Sequence, residues 1–438
     1  MTYQNLVPAR TSARILVDIA EPALLALLSE TLLGLIVKTF DDNQFVEQVR
    51  VWPSICVGEN AEPAQLPDPF ETVIVPLSRL GTDQGLSGAS VFIAYFLDPE
   101  QTYLPSVPLV VKIDKHYRLQ RELTAALQWP QHQEIYRRPF AYPFYLSDGS
   151  GEESAVLIAP FSSQFEVDTN ASLQVGIHDL WKMLHEQSEA NEGSDLSQKI
   201  RDANNALYFA MRNIHRNGRF QLPRKDLSYE AEYRLYLRKL KWDSPDQIPC
   251  VLFGTQDRTN LLGFEWPNPC KVIDNIFRRN IFQGAIGPVH GDLHPKNVVI
   301  DSENLVSVID FAWARPDGHV IVDYVLMEIN YRAMTCPSQV SIKDLLLMAR
   351  WLDTDEKICS DNSINSIVVD RCELIAEGLR KNLEMEGMIH DWDSEYLAPM
   401  LLVAFGLLKH LDRARNQISL LVTVLCLADR LDEYFKEE

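Results

Sequence analysis

Apolar residues between positions 71 and 114 alternate with polar ones or form short blocks, a pattern typical of β-strands. Three such stretches read ETVIVPLS, SVFIAYFL and PLVVKID, and Gly, Pro and Asp residues separate them. These turn signals predict an antiparallel sheet. The next stretch, KHYRLQRELTAALQW, has leucines at helical spacing and predicts a helix, whereas ESAVLIAPF predicts a further strand that ends at Pro160.

After about residue 161 the apolar residues mostly recur every three or four positions, which predicts helices. One example is SYEAEYRLYLRKLKW, residues 228–242. A single clear strand pair interrupts this half, because NVVIDSENLVSVID reads as strand, turn and strand over residues 297–310. The pattern therefore predicts an α+β fold with a small antiparallel β lobe and a large helical lobe that carries an embedded β-hairpin.

Composition and charge exclude several classes of protein. A formal net charge of -20 argues against a protein that binds nucleic acid, because that work needs clustered Lys and Arg. The seven cysteines are scattered without a C-x-x-C pair, which favours free thiols over disulfides. The N-terminus lacks the pattern of a secretion signal, and the most apolar stretches are interrupted by charges or too short for a bilayer. We therefore expect a cytoplasmic protein that does not enter a membrane.

Three oxygen-bearing side chains flank the predicted hairpin. With the turn centred between Glu303 and Asn304, Asn297 and Asp310 face each other at its open end, and Asp292 lies five residues before Asn297. Carboxylate and amide oxygens suit Mg²⁺, which keeps water and phosphate among its ligands. A second carboxylate that accepts a hydroxyl proton completes the arrangement used for phosphoryl transfer.

The sequence HGDLHPKN followed by VIDFAWA resembles the catalytic loop and metal-binding Asp of the aminoglycoside phosphotransferase and choline kinase family, which has a protein-kinase-like fold. The resemblance implies that Asp292 is the catalytic base, that Asn297 and Asp310 hold Mg²⁺, and that His290 supports the loop. It also implies that Asp323, which resembles a helix-start Asp of this fold, hydrogen-bonds the catalytic loop.

The same resemblance implies a second set of residues upstream, which would bind the nucleotide. A loop with Gly85, Ser87 and Gly88 precedes a strand, where its backbone N–H groups would cradle phosphates. Lys112, near the end of a strand, would reach the phosphates of ATP. Glu122, ten residues later on the following helix, would be its ion-pair partner.

Three segments follow from this comparison: an N-terminal extension over 1–70, a β-rich nucleotide-binding lobe over 71–161 that ends in a hinge, and a helical lobe over 162–438. The helical lobe contains the catalytic loop and hairpin, residues 287–314. After the hairpin, GHVIVDYVLME also resembles the kinase-related ternary complex associated domains. The extension and the helical insert before His290 are the candidate surfaces for a protein partner.

The resulting function is Mg²⁺-dependent transfer of the γ-phosphate of ATP to a hydroxyl of a small molecule. The short interval between Asp310 and Asp323 leaves no room for a long activation segment, which favours a small-molecule kinase over a protein kinase. One alternative is a non-catalytic, kinase-like nucleotide-binding signalling module.

A second alternative is a metal-dependent hydrolase that uses His290, Asp292 and His294. His319 and Asp310 could complete such a site. In the kinase interpretation, His319 is instead expected at the surface or at a helix cap.

Overall fold

The strands and helices of the protein are taken from a computed structural model. It describes residues 4–6, 14–17, 71–76, 90–96, 109–128, 143, 145–146, 150–160, 178–187, 195–216, 222–238, 240, 247–300, 306–354, 365–385 and 387–437. Contacts divide the chain into two compact units: unit 1 comprises Met1–Asp179 and Val298–Ala314, and unit 2 comprises Leu180–Asn297 and Arg315–Glu438. The predicted segment boundaries at 71 and 161 stay a prediction.

The strands and helices are numbered here in chain order. The strands are β1 Gln4–Leu6, β2 Arg14–Val17, β3 Glu71–Pro76, β4 Ser90–Phe96, β5 Leu109–Lys115, β6 Tyr145–Leu146, β7 Ser154–Pro160, β8 His178–Asp179, β9 Arg224–Ser228, β10 Arg258–Leu261, β11 Phe264–Pro267, β12 Ile281–Val289, β13 Val298–Ile300, β14 Val306–Val308 and β15 Arg315–His319. The α-helices are α1 His116–Gln128, α2 Leu180–Glu186, α3 Asp195–Arg216, α4 Tyr229–Tyr233, α5 Ile248–Phe253, α6 Pro269–Arg279, α7 Ile321–Ile329, α8 Ile342–Thr354, α9 Ser366–Glu373, α10 Lys381–Met385, α11 Ala398–Leu407 and α12 Gln417–Glu437.

Unit 1 is built on a seven-stranded sheet with the order β1-β2-β3-β4-β5-β7-β6. Neighbouring strands are antiparallel except for β2 and β3, which are parallel. Helix α1 packs on this sheet, and Leu119, Ala155 and Leu157 form a buried cluster between them. The strands predicted around residues 71–114, the following helix and the strand that ends at Pro160 are confirmed.

The predicted hairpin forms from β13 and β14, and β8 pairs with β13 on its other side. Although the hairpin is embedded in the helical half of the sequence, its contacts place it in unit 1. Its predicted register was wrong by one residue. Val298 pairs with Val308. In this register Asn297 is not opposite Asp310.

Unit 2 is mainly helical, and its core surrounds α11, in which all residues from Ala398 to Gly406 are buried. Helix α7 is also buried along its whole length. These helices have no exposed face, because neighbouring elements of unit 2 cover them. The α+β class is confirmed by this division of strands and helices. Within the described residues, no helix is both long and apolar enough to cross a membrane.

Unit 2 also contains strands that the sequence pattern did not predict. β12 lies between β9 and β15 in a three-stranded sheet, and β10 pairs with β11. The expectation of a single strand pair in this half was wrong, because β9 and β15 are mostly polar and β12 contains two glycines and a proline, which weaken strand signals. The helix predicted over 228–242 ends at Tyr233 and continues as turns.

A buried ionic network joins four helical segments of unit 2. Glu328 of α7 binds Arg380 through both carboxylate oxygens, at 2.6 and 2.9 Å, and also accepts from Arg332 and the Tyr396 hydroxyl. Arg332 in turn forms two hydrogen bonds of 2.9 and 3.0 Å with Asp353 of α8. Because charges in a core must be paired, this network fixes how the four segments meet.

Candidate functional site

Unit 1 brings together three of the predicted site residues. Lys112 lies on β5 and donates a hydrogen bond of 2.7 Å from Nζ to Glu122 Oε2 on α1. The helix positions Glu122 because Leu119, Glu122 and Ala126 share its buried face at a spacing of three and four residues. Both charged side chains are largely shielded from solvent, at 12% and 6% exposure.

Asp310 completes this cluster from the end of the hairpin. Its Oδ1 lies 3.1 Å from Lys112 Nζ, so one ammonium group contacts two carboxylates. Asp310 has φ of 66°, a left-handed conformation that non-glycine residues rarely adopt. Such backbone strain occurs most often at functional sites, where the surrounding structure imposes it. The next residue, Phe311, is fully buried and its backbone hydrogen-bonds Glu122, which ties the hairpin exit to α1.

Burial and charge shift the pKa values of this cluster. Burial lowers the pKa of Lys112, but the charges of Asp310 and Glu122 outweigh it, so the pKa is raised and the ammonium form is retained. Burial raises the pKa of Glu122 to about 7, against the opposing effect of Lys112. Lys112 is therefore a fixed cation on a strand, held between the carboxylates of Glu122 and Asp310.

In unit 2, Asp323 anchors the loop that carries His290 and Asp292. Its two carboxylate oxygens accept the backbone N–H groups of His290 at 2.7 Å and Gly291 at 2.8 Å. Gly291 has φ of 76°, which glycine adopts at little cost and which directs both N–H groups to one acceptor. Burial raises the pKa of Asp323 to about 7, although the two N–H groups and Arg315 oppose it.

Asn297 closes the other end of this loop. It lies in the short 3-10 helix Pro295–Asn297, and its Nδ2 donates a hydrogen bond of 2.9 Å to the backbone oxygen of Asp292. This bond uses the nitrogen of the amide, so the oxygen is the atom that could bind a cation. Each of the two predicted metal ligands, the amide oxygen of Asn297 in unit 2 and the carboxylate of Asp310 in unit 1, is by itself a hard oxygen donor of the kind that Mg²⁺ takes beside water and phosphate. Their joint role stays a prediction.

The geometry does not support a zinc-type site. His294 Nε2 lies 3.9 Å from Asp292 Oδ2, and its Nδ1 accepts the backbone N–H of Lys296. Among the described residues, no group of three or more His, Cys, Asp and Glu side chains could hold a metal ion. The prediction for His319 was wrong: it is fully buried in β15, and its Nδ1 hydrogen-bonds the Tyr233 hydroxyl at 2.6 Å.

The predicted phosphate loop, with Gly85, Ser87 and Gly88, lies outside the described residues, as does most of the N-terminal extension. The expected hinge begins within β7 at Leu157, and Phe161 is outside the described residues. The roles given to all these residues stay predictions.

Several contacts of the loop were not predicted from the sequence. Tyr236 donates a hydrogen bond of 2.6 Å from its hydroxyl to the backbone oxygen of Gly291. Lys296 places its ammonium 4.9 Å from the ring centre of Trp181 on α2, a cation–π contact. The only sequence signal for Tyr236 is its place among the aromatic residues of SYEAEYRLY, a pattern that helical packing explains equally well.

The family profile of Ternary complex associated domain 9 matches residues 167–408, more than half of the chain. The chain belongs to the Ternary complex associated domain 9 family. The family region contains the motif HGDLHPKN, the hairpin and Asp323, whereas Lys112 and Glu122 precede it. A search of curated proteins finds no match for this family member.

Solved structures match the chain at low identity and low TM-score. A thermostable mutant of aminoglycoside phosphotransferase APH(4)-Ia is 10% identical, with a TM-score of 0.35, over 83% of this chain and 94% of that one. A glucosamine kinase is 12% identical, with a TM-score of 0.37, over 87% and 97%. The choline kinase LicA of Streptococcus pneumoniae is 11% identical, with a TM-score of 0.31, over 70% and 93%. Identity at this level carries no activity from these enzymes to this family member.

Proposed function

We propose that the protein transfers the γ-phosphoryl group of ATP to a hydroxyl of a small molecule. The observation that carries the proposal is the cluster of Lys112, Glu122 and Asp310, in which a buried glutamate holds a strand lysine beside the aspartate of the hairpin. An ion pair that only stabilises the fold needs two charged groups, and it does not need a third one, such as Asp310, in a left-handed backbone conformation. A nucleotide site, in contrast, needs a positioned cation and a metal ligand.

In the proposed reaction, the acceptor hydroxyl oxygen forms a bond to the γ-phosphorus as the bond from that phosphorus to the β–γ bridging oxygen breaks and ADP leaves. Asp292 accepts the hydroxyl proton and later releases it to solvent. Lys112 binds phosphate oxygens, and Glu122 keeps it in position. Asn297 and Asp310 would hold Mg²⁺, which neutralises charge on the phosphates when it is bound. Asp323 keeps the loop of Asp292 in place through two backbone hydrogen bonds.

Thermal unfolding with Mg-ATP or Mg-GTP tests the first step of this proposal. A ligand that binds the folded protein at about 100 times its Kd adds about 2.7 kcal/mol to the free energy of unfolding, so the unfolding temperature should rise. The Lys112→Met variant should lose most of this rise. A wild-type protein whose unfolding temperature responds to neither nucleotide would overturn the proposal.

Turnover is tested by ADP release with a panel of hydroxylated acceptors, namely aminoglycosides, amino sugars and amino alcohols. Asp292→Asn should lower the rate by about 100-fold or more, because general base catalysis is lost, while binding of Mg-ATP persists. Asp317→Asn, at an exposed position of β15, is the matched control and should leave the rate unchanged. Binding of Mg-ATP without transfer to any acceptor would instead favour the non-catalytic nucleotide-binding module.

A further inference from the structure

The segment that begins at Tyr229 lies in the helical insert, for which the sequence indicated only a candidate surface for a protein partner. Ser228 caps α4 by accepting the backbone N–H of Ala231 at 3.2 Å, and turns follow Tyr233. α11 and the 3-10 helix Leu408–Arg413 that follows it hold this turn from the other side. Lys409 donates a hydrogen bond of 3.2 Å to the Tyr236 backbone oxygen, and a Cβ at Gly406 would overlap that same oxygen. The backbone of Tyr236 is therefore held close against α11.

From this fixed backbone, the Tyr236 hydroxyl donates its hydrogen bond of 2.6 Å to the backbone oxygen of Gly291. Burial raises the pKa of Tyr236 well above its ordinary value, and the negative charges of Asp323 and Asp292 add to this. The phenol therefore keeps its proton at all physiological pH values and acts as a permanent donor.

The two backbone groups of Gly291 thus have different anchors: its N–H is bound by Asp323, and its carbonyl is bound by Tyr236. That carbonyl belongs to the peptide group that joins Gly291 to Asp292. Because Gly291 has no side chain, steric contacts restrict the orientation of this peptide little at its φ of 76°. Hydrogen bonds must therefore fix the plane of the peptide.

We propose that Tyr236 is a positioning residue that fixes the peptide between Gly291 and Asp292 and thereby aims the Asp292 carboxylate. The proposal rests on the proposed function for the role of Asp292, but the anchoring of the loop can be tested without it. Without the hydroxyl, the peptide can rotate and the carboxylate leaves its reactive geometry, for which a displacement of about 1 Å can cost about 100-fold in rate.

Tyr236→Phe removes the hydroxyl alone, and the chain offers a matched control. Tyr229, in the same segment, donates a hydrogen bond of 2.7 Å to the backbone oxygen of Ser394; it is buried, whereas Tyr236 is half-buried. Tyr229→Phe therefore removes the same kind of bond at a different place. Amide hydrogen exchange of the full-length protein should increase about 10-fold or more over residues 287–297 in Tyr236→Phe and stay unchanged there in Tyr229→Phe.

The second measurement is kcat with Mg-ATP. Tyr236→Phe should lower kcat about 10- to 100-fold with the KM for ATP unchanged, and should have no further effect in an Asp292→Asn background, because it acts through Asp292. Unchanged exchange over 287–297, or an equal loss of kcat in both phenylalanine variants, would overturn the proposal. If the wild-type protein neither binds nor turns over Mg-ATP, the proposed function fails, and the exchange data still decide whether Tyr236 anchors the loop.

Discussion

The ammonium group of Lys112 lies 3.1 Å from the carboxylate of Asp310, and the same ammonium donates to Glu122 at 2.7 Å. One cation therefore forms ion pairs with two carboxylates, one from a helix and one from the end of a hairpin. Loss of the cation leaves two negative charges close together in a partly buried place. The stability of unit 1 thus depends on the same side chains that the proposed function assigns to the nucleotide.

Replacement of this lysine should destabilise the protein without any ligand. Lys112→Met leaves Glu122 buried without its cation, and loss of one partner of a buried pair costs about 3–5 kcal/mol. Urea denaturation should show this loss, and Lys112→Met combined with Glu122→Gln should recover much of it. The control is Lys115→Met, whose exposed pair with Glu152 should leave the free energy of unfolding unchanged. Equal effects of the two single variants would contradict the prediction.

Asp323→Asn should loosen the loop that carries His290 and Asp292. An amide has one acceptor oxygen in place of two, and its NH₂ group would face the N–H of His290 or Gly291. An unsatisfied buried N–H costs about 1–3 kcal/mol, so the free energy of unfolding should fall by that amount. Amide exchange of residues 290 and 291 should accelerate. Wild-type exchange at both amides in the variant would show that Asp323 does not hold the loop.

Unit 2 offers one buried and one exposed ion pair whose contributions to the free energy of unfolding can be compared. Arg380→Met removes one cation from fully buried Glu328 and should cost about 3–5 kcal/mol. Arg430 forms two hydrogen bonds of 2.9 Å with Asp393, but it is exposed, so Arg430→Met should cost less than about 1 kcal/mol. Both values can be measured by chemical denaturation. A cost for Arg430→Met that matches that of Arg380→Met would refute this difference.

Buried His319 should make the protein sensitive to acid. Burial lowers its pKa from 6.5 to about 3, with Arg224 and Arg315 contributing, so the folded protein keeps it neutral while the unfolded chain protonates it below pH 6.5. Its contribution to stability is present above pH 6.5 and is lost as pH falls, by about 1.4 kcal/mol per pH unit. The His319→Gln variant has no imidazole to protonate at this position, so it does not lose this contribution to stability as the pH falls. The advantage of wild type over the variant should therefore shrink between pH 7 and 5; a difference independent of pH would contradict the assignment.

The sequence was most informative where hydrophobic pattern and local motif agree. The strands of the sheet in unit 1 and α1 were predicted from residue spacing, because their apolar residues alternate, form short blocks or recur at helical spacing, with few glycines or prolines. The loop around Asp292 was predicted from its short polar motif, HGDLHPKN. The resemblance predicted that Lys112 pairs with Glu122. The contact of Lys112 with Asp310 was not predicted, because no local pattern reports a contact between residues so distant in the chain.

Other features could not be predicted because long-range packing decides them. The hairpin register depends on a turn whose residues give several possible centres, and it differed from the expected register by one residue. His319 looked like a surface residue because its neighbours in RPDGH are polar, yet α4 supplies a buried partner in Tyr233. The bond from Tyr236 to Gly291 likewise depends on how a turn packs against α11.

The assignment of the hairpin to unit 1 has a practical consequence for dissecting the protein. The chain passes from one unit to the other at Asp179–Leu180, Asn297–Val298 and Ala314–Arg315, so neither unit is a continuous stretch of sequence. No single truncation can therefore yield either unit intact. A fragment limited to the family region, residues 167–408, would keep Asp310 but lose Lys112, its contact across the sequence. Expression of such a fragment would thus remove the cation of the cluster formed by Lys112, Glu122 and Asp310.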